Sequence, residues 1–221
     1  MAVLGVDGWR GAWVGALLDG RRVTLLALPD VVAVLEVPDV DVVGIDMPIG
    51  LSDDGVRRCD VEARRRLRGA ASSVFPAPVR PVLYASTYEE ARTMSLTASR
   101  RSLSAQTFGL VPAIRSLDDA LGDPPDPRVH EVHPELSFRA LDGRVTDRKA
   151  SGSGLAQRIR ALEPVMDVLD ALADDRVGLP AVDALDACAA AWSAQRLAAG
   201  TAESVGDGNR DARGRPMRIS W

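Results

Sequence analysis

Lysine is nearly missing from this chain. Of 27 basic residues in 221, only Lys149 is lysine and the other 26 are arginine. A GC-rich codon bias accounts for such a ratio. The arginines also suit phosphate, because a planar guanidinium binds it in a fork that an ammonium does not form. Cysteine is scarce as well. Cys59 and Cys188 are too few for a disulfide scaffold, so a reduced, cytoplasmic setting is the expectation. No apolar run approaches the ~18 residues of a membrane span. The opening MAVLGVDGWRG has neither a basic nor an apolar leader region, so a secretory signal is not expected. Nothing reads GxxxxGK followed by Ser or Thr, and nothing reads GxGxxG, which leaves the nucleotide folds built on those loops without support. With only nine aromatic residues (four Trp, two Tyr, three Phe), Trp9 and Trp13 are expected to pack the sheet edge rather than bind a base.

What is present is a moderately apolar, mildly acidic chain. Hydrophobic residues make up 46%, and the formal net charge is −4. That charge argues against coating nucleic acid by net attraction, but not against a local basic groove. The length suits one domain, with or without an insertion.

Ala2–Asp7, Ala12–Leu18 and Arg22–Leu28 read as three hairpin-linked strands, with Asp19-Gly20 as a turn signal. Pro29–Val37 reads as a short helix. DVVGID at 41–46 is near-continuously apolar, as a strand buried on both faces and paired in parallel should be. From 57 to 121 strand patterning stops. A charged helix is predicted over Arg57–Ala70, a proline-rich loop over Ala71–Pro81, a helix starting near Thr87 from the Ser86-to-Glu89 capping spacing, and another over Gln106–Leu121. This stretch reads as a helical insertion. Then come a strand (Arg128–His133), a short helix (Pro134–Leu141), a polar loop (Asp142–Gly154), a helical stretch (Leu155–Ala173) and the clearest helix, Val182–Ala199, with Gly200 suited to its end. MRISW suggests a last short strand.

Two strands finish alike, as Gly5-Val6-Asp7 and Gly44-Ile45-Asp46. In each, glycine shares a face with the aspartate and lets a neighbour approach closely. If the strands are parallel neighbours, the two carboxylates lie about 4.8 Å apart at backbone level, at the strand ends where open α/β sheets bind ligands. Paired carboxylates repel unless a cation or a shared proton joins them, and their hard oxygens favour Mg²⁺ or Mn²⁺. Asp183 and Asp186, three apart, share a helix face, and the alanines after them would let that helix lie close to the sheet. In HEVHPE (130–135), Glu131 is a candidate further acidic ligand and His133 a candidate proton-transfer or phosphate-contact group. The spacing is not that of a zinc site.

The order of these features resembles the ribonuclease-H-like nuclease superfamily: an Asp in the first strand of a meander, an acid closing the fourth strand, then acids on a late helix. VDALDACAAAW is similar to the last helix of Holliday-junction resolvases in that superfamily. More closely, GVDGWRGAW, GIDMPIGL, RRCDVEARRRL, SSVFPAPVR, HEVHPELSF and DALDACAAAW resemble domain of unknown function 429, a predicted nuclease family. The resemblance implies an α/β ribonuclease-H-like mixed sheet flanked by helices, carrying an insertion at about 57–121. It implies Mg²⁺- or Mn²⁺-assisted phosphodiester hydrolysis of DNA or RNA, with Asp7, Asp46, Asp183 and Asp186 as metal ligands and Glu131 as a further catalytic acid. The chain departs from the resolvase pattern in holding Asp46 where glutamate is found.

Between Arg57 and Arg80 stand seven arginines (57, 58, 64, 65, 66, 68, 80) against Asp60 and Glu62, a local +5. Arg57, Arg64, Arg68, Ser72, Ser73 and Arg80 are therefore candidate phosphate contacts, joined by Lys149 and Arg158. Two other readings compete. An actin-like phosphotransferase shares the sheet, but it requires a second glycine-rich phosphate motif that is not found here. A non-catalytic binding module would keep the fold without the chemistry.

Overall fold

The computed structural model describes residues 1–221. Strand β1 (Ala2–Trp9) turns back through Arg10 and Gly11, both at positive φ (50° and 83°), as a two-residue turn matched to strand twist requires. Strand β2 (Ala12–Asp19) turns at Gly20 (φ 60°) into β3 (Arg22–Leu28). Helix α1 (Val31–Leu35) is capped by Asp30, whose carboxylate accepts from the Ala33 N–H at 2.9 Å. It leads into β4 (Val40–Ile45). After a long excursion comes β5 (Val129–Glu131).

These strands make one five-stranded sheet in the order β3-β2-β1-β4-β5. The β1–β2 and β2–β3 pairs are antiparallel, whereas β1–β4 and β4–β5 are parallel. This is a mixed α/β architecture, and the continuous apolar run of β4 is explained by its place between two parallel neighbours. The register aligns Gly5 with Gly44 and Val6 with Ile45, and the Asp46 N–H continues the ladder by donating to the Val6 carbonyl at 2.9 Å.

The chain forms two compact units. The first comprises 1–47, 127–203 and 220–221. It contains the sheet, α5 (Pro134–Leu141), α6 (Gly152–Leu162), α7 (Val168–Ala173) and α8 (Ala181–Ala198). Its core joins Val14, Ala16 and Leu18 of β2 to Phe138 of α5, Leu162 of α6 and Leu185 of α8. Helix α5 is fixed to α8 by a buried hydroxyl pair, Ser137 with Ser193 at 2.7 Å. The expected helix over Leu155–Ala173 is two helices, because Pro164 lacks the N–H that would continue α6.

The second unit comprises 48–126 and 204–219. It holds α2 (Arg58–Arg66), α3 (Tyr88–Ser99) and α4 (Ala105–Ala120). Helix α2 is shorter than the Arg57–Ala70 predicted. The loop expected at 71–81 instead contains short 3-10 turns at Ala71–Ser73 and Arg80–Tyr84, the latter with Pro81 in its first turn, where proline is tolerated. The cap of α3 is displaced by one residue from expectation: Thr87 accepts from the Glu90 N–H, and Glu90 accepts from Ser86 N–H. Strands β6 (Ser204–Val205) and β7 (Ile219–Ser220) form a separate two-stranded sheet. No helix is long and apolar enough to cross a membrane.

Candidate functional site

Two glycines determine where the last helix lies. A Cβ built on Gly5 would stand 2.0 Å from the Ala191 nitrogen and 2.1 Å from the Ala187 oxygen, and one on Gly44 would stand 2.8 Å from the Ala190 oxygen. The backbone of α8 therefore rests directly on β1 and β4. Only glycine on the strands, facing alanine on the helix, permits this approach. One turn before Ala187 and Ala190 come Asp183 and Asp186, and two residues after Gly5 and Gly44 come Asp7 and Asp46. The close packing that Gly5 and Gly44 allow thus delivers the helical carboxylates to the strand-end carboxylates.

The four acids share one electrostatic neighbourhood. Asp7 is buried, and desolvation raises its pKa well above the usual carboxylate range, with Asp46 and then Asp186 adding repulsion. Asp46 keeps some exposed surface as a residue, but its carboxyl group lies in dense protein. Desolvation, then the charge of Asp186, pushes it up to about 7, with Glu131 and Glu135 adding to the effect. Asp186 is only 2% exposed and is also raised by burial. Asp183, at the rim, is raised more mildly by burial, against the pull of Lys149 and Arg10.

Lys149 is the cation that opposes this repulsion at every one of the four acids, with Arg10 helping at Asp183 and Arg158 at Asp186. Lys149 Nζ donates to Asp186 Oδ2 at 2.6 Å, while the other oxygen, Oδ1, is buried without a partner. Burial disfavours the ammonium, but Asp186, Asp7 and Asp46 more than offset that and raise its pKa. No group of three or more His, Cys, Asp or Glu side chains is disposed to hold a metal ion by itself. The cluster is an anionic neighbourhood rather than a finished ligand cage. Magnesium is commonly held by one or two carboxylates, with water and substrate phosphate completing its shell. The unpartnered Asp186 Oδ1 is a hard oxygen of the kind such a cation prefers, but it is closed to solvent as the chain stands.

Glu131 is buried in β5, close enough to raise Asp46. His133 precedes α5 and accepts the Leu136 and Ser137 N–H groups through its carbonyl. Sequence reasoning gave no role to Glu135 or Arg10. Glu135, in the first turn of α5, pairs with Arg158 and adds negative charge near Asp46 and Asp186. Its place in HEVHPE was the available signal. Arg10 occupies the turn after β1, beside Asp183.

Three of the arginines expected to meet phosphate are taken up internally. Arg158, 2% exposed, pairs with Glu135, donates to the Asp147 and Gly154 carbonyls at 3.1 Å, and lies over the Phe138 ring. In the second unit Arg57 is buried against Asp60 and the carbonyls of Ile49 and Gly50. Arg80 is buried between Asp118 and Asp211. Desolvated guanidinium groups need such partners, which explains their inward placement. Arg64, Arg68 and Ser72 are the solvent-facing members of the set, and Ser73, half-buried, donates its hydroxyl to the Ala70 carbonyl. Both cysteines are buried; that of α8, Cys188, is pushed up to about 12 by desolvation and then by Asp186.

No curated protein and no solved structure matches the chain. A family model does, over residues 5–210, a span that includes every carboxylate of the cluster. The chain belongs to the family described as protein of unknown function (DUF429).

Proposed function

We propose that the chain is a ribonuclease-H-like, metal-dependent phosphodiester hydrolase acting on DNA or RNA. One observation carries this reading. Asp7, Asp46 and Asp186, from three different elements, converge at the C-terminal ends of two parallel strands, and one buried oxygen is left unpartnered. A stable fold has little reason to gather repelling carboxylates there, and perturbed acids in such a place mark functional sites. The sheet order, with an antiparallel meander followed by parallel strands, and the acidic late helix support the same reading.

Asp7, Asp46 and Asp186 would hold Mg²⁺ or Mn²⁺, with Asp183 at the rim. The ion supplies a Lewis acid for a phosphoryl oxygen and an activated water. The strand ladder places the backbone of Asp7 and Asp46 and the α8 contact that of Asp186, so three elements carry the carboxylates into one neighbourhood, and their oxygens would close on the ion as it binds. Glu131 and Glu135 keep the surroundings anionic, which favours retention of a cation. Lys149, half exposed, can face a substrate phosphate while it holds Asp186. Exposed Arg64 and Arg68 are the proposed phosphate-backbone contacts of the second unit.

The test is cleavage of a panel of single-stranded, duplex and branched nucleic acids. Mg²⁺-dependent cleavage by the wild type, lost in Asp7→Asn, is the expected result. A wild type that cuts no member, or cuts equally well with chelator present, overturns the reading.

A further inference from the structure

The two edges of the five-stranded sheet differ. One edge is β5, only three residues long and continued by a bridge from Val132 to Ser220. The other is β3, seven residues reading RVTLLAL, with no neighbour beyond it. Natural edge strands are blunted by shortness, by lysine or proline, or by a bulge. β3 has no lysine and no proline, and its register with β2 runs without a shift. Its one charge, Arg22, stands at the end of the strand.

The turn before β3 decides which backbone groups the edge leaves open. Gly20-Arg21 is a two-residue turn with glycine first, at φ 60°, and it closes Asp19 and Arg22 as a hydrogen-bonded pair. Such pairing alternates along an antiparallel ladder, so Thr24, Leu26 and Leu28 also bond inward to β2. The N–H and C=O groups of Val23, Leu25 and Ala27 therefore point outward, and no other backbone segment pairs with them. Leu25 and Leu26 are half-buried, while Thr24 and Ala27 are exposed. The two helices that pack on β3 each leave a large apolar side chain half exposed, Val32 of α1 and Leu169 of α7.

We propose that this edge is a homodimer interface, in which two copies of the chain pair their β3 strands antiparallel about a twofold axis at Leu25 and form one ten-stranded sheet. The strand is complementary to itself in that register. Leu25 meets Leu25 and Val23 meets Ala27, so all three outward residues of both copies are paired. The charges agree as well. Arg22 lies diagonally across from Asp30 of the second copy, within reach of a long side chain. Asp30 is in extended backbone and spends one carboxylate oxygen on the cap of α1. Arg21, by contrast, is already committed to Asp167 and to the Glu163 and Pro164 carbonyls. A twofold contact of this kind closes on itself, which ends assembly at two. Since β3 runs parallel to β1 within a copy, the two acidic clusters then lie at opposite ends of the joined sheet.

The experiment is sedimentation equilibrium of the full chain across a concentration series, with Ala27→Pro as the variant. Ala27 is exposed and its N–H points away from β2, so proline there spares the internal ladder and is tolerated on an edge. It removes two donors from each dimer. The expected result is a dimeric wild type and a dissociation constant raised about tenfold or more in the variant. Ala27→Lys repeats the measurement if circular dichroism shows the proline variant unfolded. The register is read separately from Thr24→Cys, which puts two exposed thiols diagonally across the axis, about 7–8 Å apart at backbone level. A short bismaleimide should link them, and Cys59 and Cys188 are buried away from it. A monomeric wild type, whatever other chain it binds, overturns the proposal. So does assembly beyond two, a folded variant that dimerises as tightly as wild type, or a Thr24→Cys dimer that does not link.

Discussion

Burial, and then the charge of Asp186, push the Asp46 carboxyl up to about 7. The folded chain therefore retains a proton between about pH 4 and pH 7 that the unfolded chain releases, because an aspartate free in water titrates at 3.8. A raised folded pKa means that the stabilisation is complete below the unfolded value and is lost as pH rises through the folded one. The metal-free wild type should thus lose thermal midpoint relative to Asp46→Asn across that window and run parallel to it above. Melting curves in chelator at half-unit steps of pH would check this, and a constant difference across the window would contradict it. At this scale the sequence was legible for the acids and misleading for the arginines. Residue type and strand-end position point to Asp7 and Asp46, whereas nothing in the string RRCDVEARRRLR tells that Arg57 turns inward to Asp60 while Arg64 and Arg68 stay outside. Partner choice for a long side chain is decided by tertiary packing.

At the scale of elements, α8 against β1 is the contact on which the site depends. Gly5→Ala would drive a methyl group into the helix backbone at 2.0 Å. Because backbone and not a flexible side chain stands in the way, the helix must move. Overpacking of this kind costs about 1–3 kcal/mol and sometimes more, so a denaturation midpoint well below that of the wild type is expected. Gly15→Ala meets chiefly the Leu28 and Leu4 methyl groups and should cost less. Equal losses at the two positions would argue against a backbone clash. The Gly-x-Asp repeat and the alanine run of α8 already point to this contact in the sequence. The α3 cap was found one residue out of place because Ser86 and Thr87 are both good caps, and only the geometry of Glu90 selects between them.

At the scale of the molecule, neither unit is a continuous stretch of chain. In the second, residues 204–219 are joined to 48–126 by charge: Asp118 of α4 meets Arg80, Arg213 and Arg215, and Asp211 meets Arg80. Asp118 and Arg215 are buried. Removing one partner from such a network strands the others, at about 3–5 kcal/mol. In Asp118→Ala, amide hydrogen exchange should therefore rise across 204–219; unchanged protection there would show that apolar packing alone holds the segment. This network was not legible, since residues 80, 118 and 211–215 are brought together only by the fold. The net charge of −4 averages the carboxylate cluster of one unit with the arginine-rich helix of the other.

The discontinuity of the first unit also sets an order in time. A ribosome delivers Asp7 long before Asp186: 186 minus 7 is 179 residues, or roughly 10–35 s at about 5–20 residues per second. Until α8 emerges, the glycine face of the nascent sheet has no cover and the cluster has only its strand acids. Lys149 emerges before Asp183 and Asp186, so the neutralising charge is already synthesised when the last carboxylates arrive. The chain would acquire its acidic centre late in translation, with the counter-ion made ahead of the repulsion it must balance.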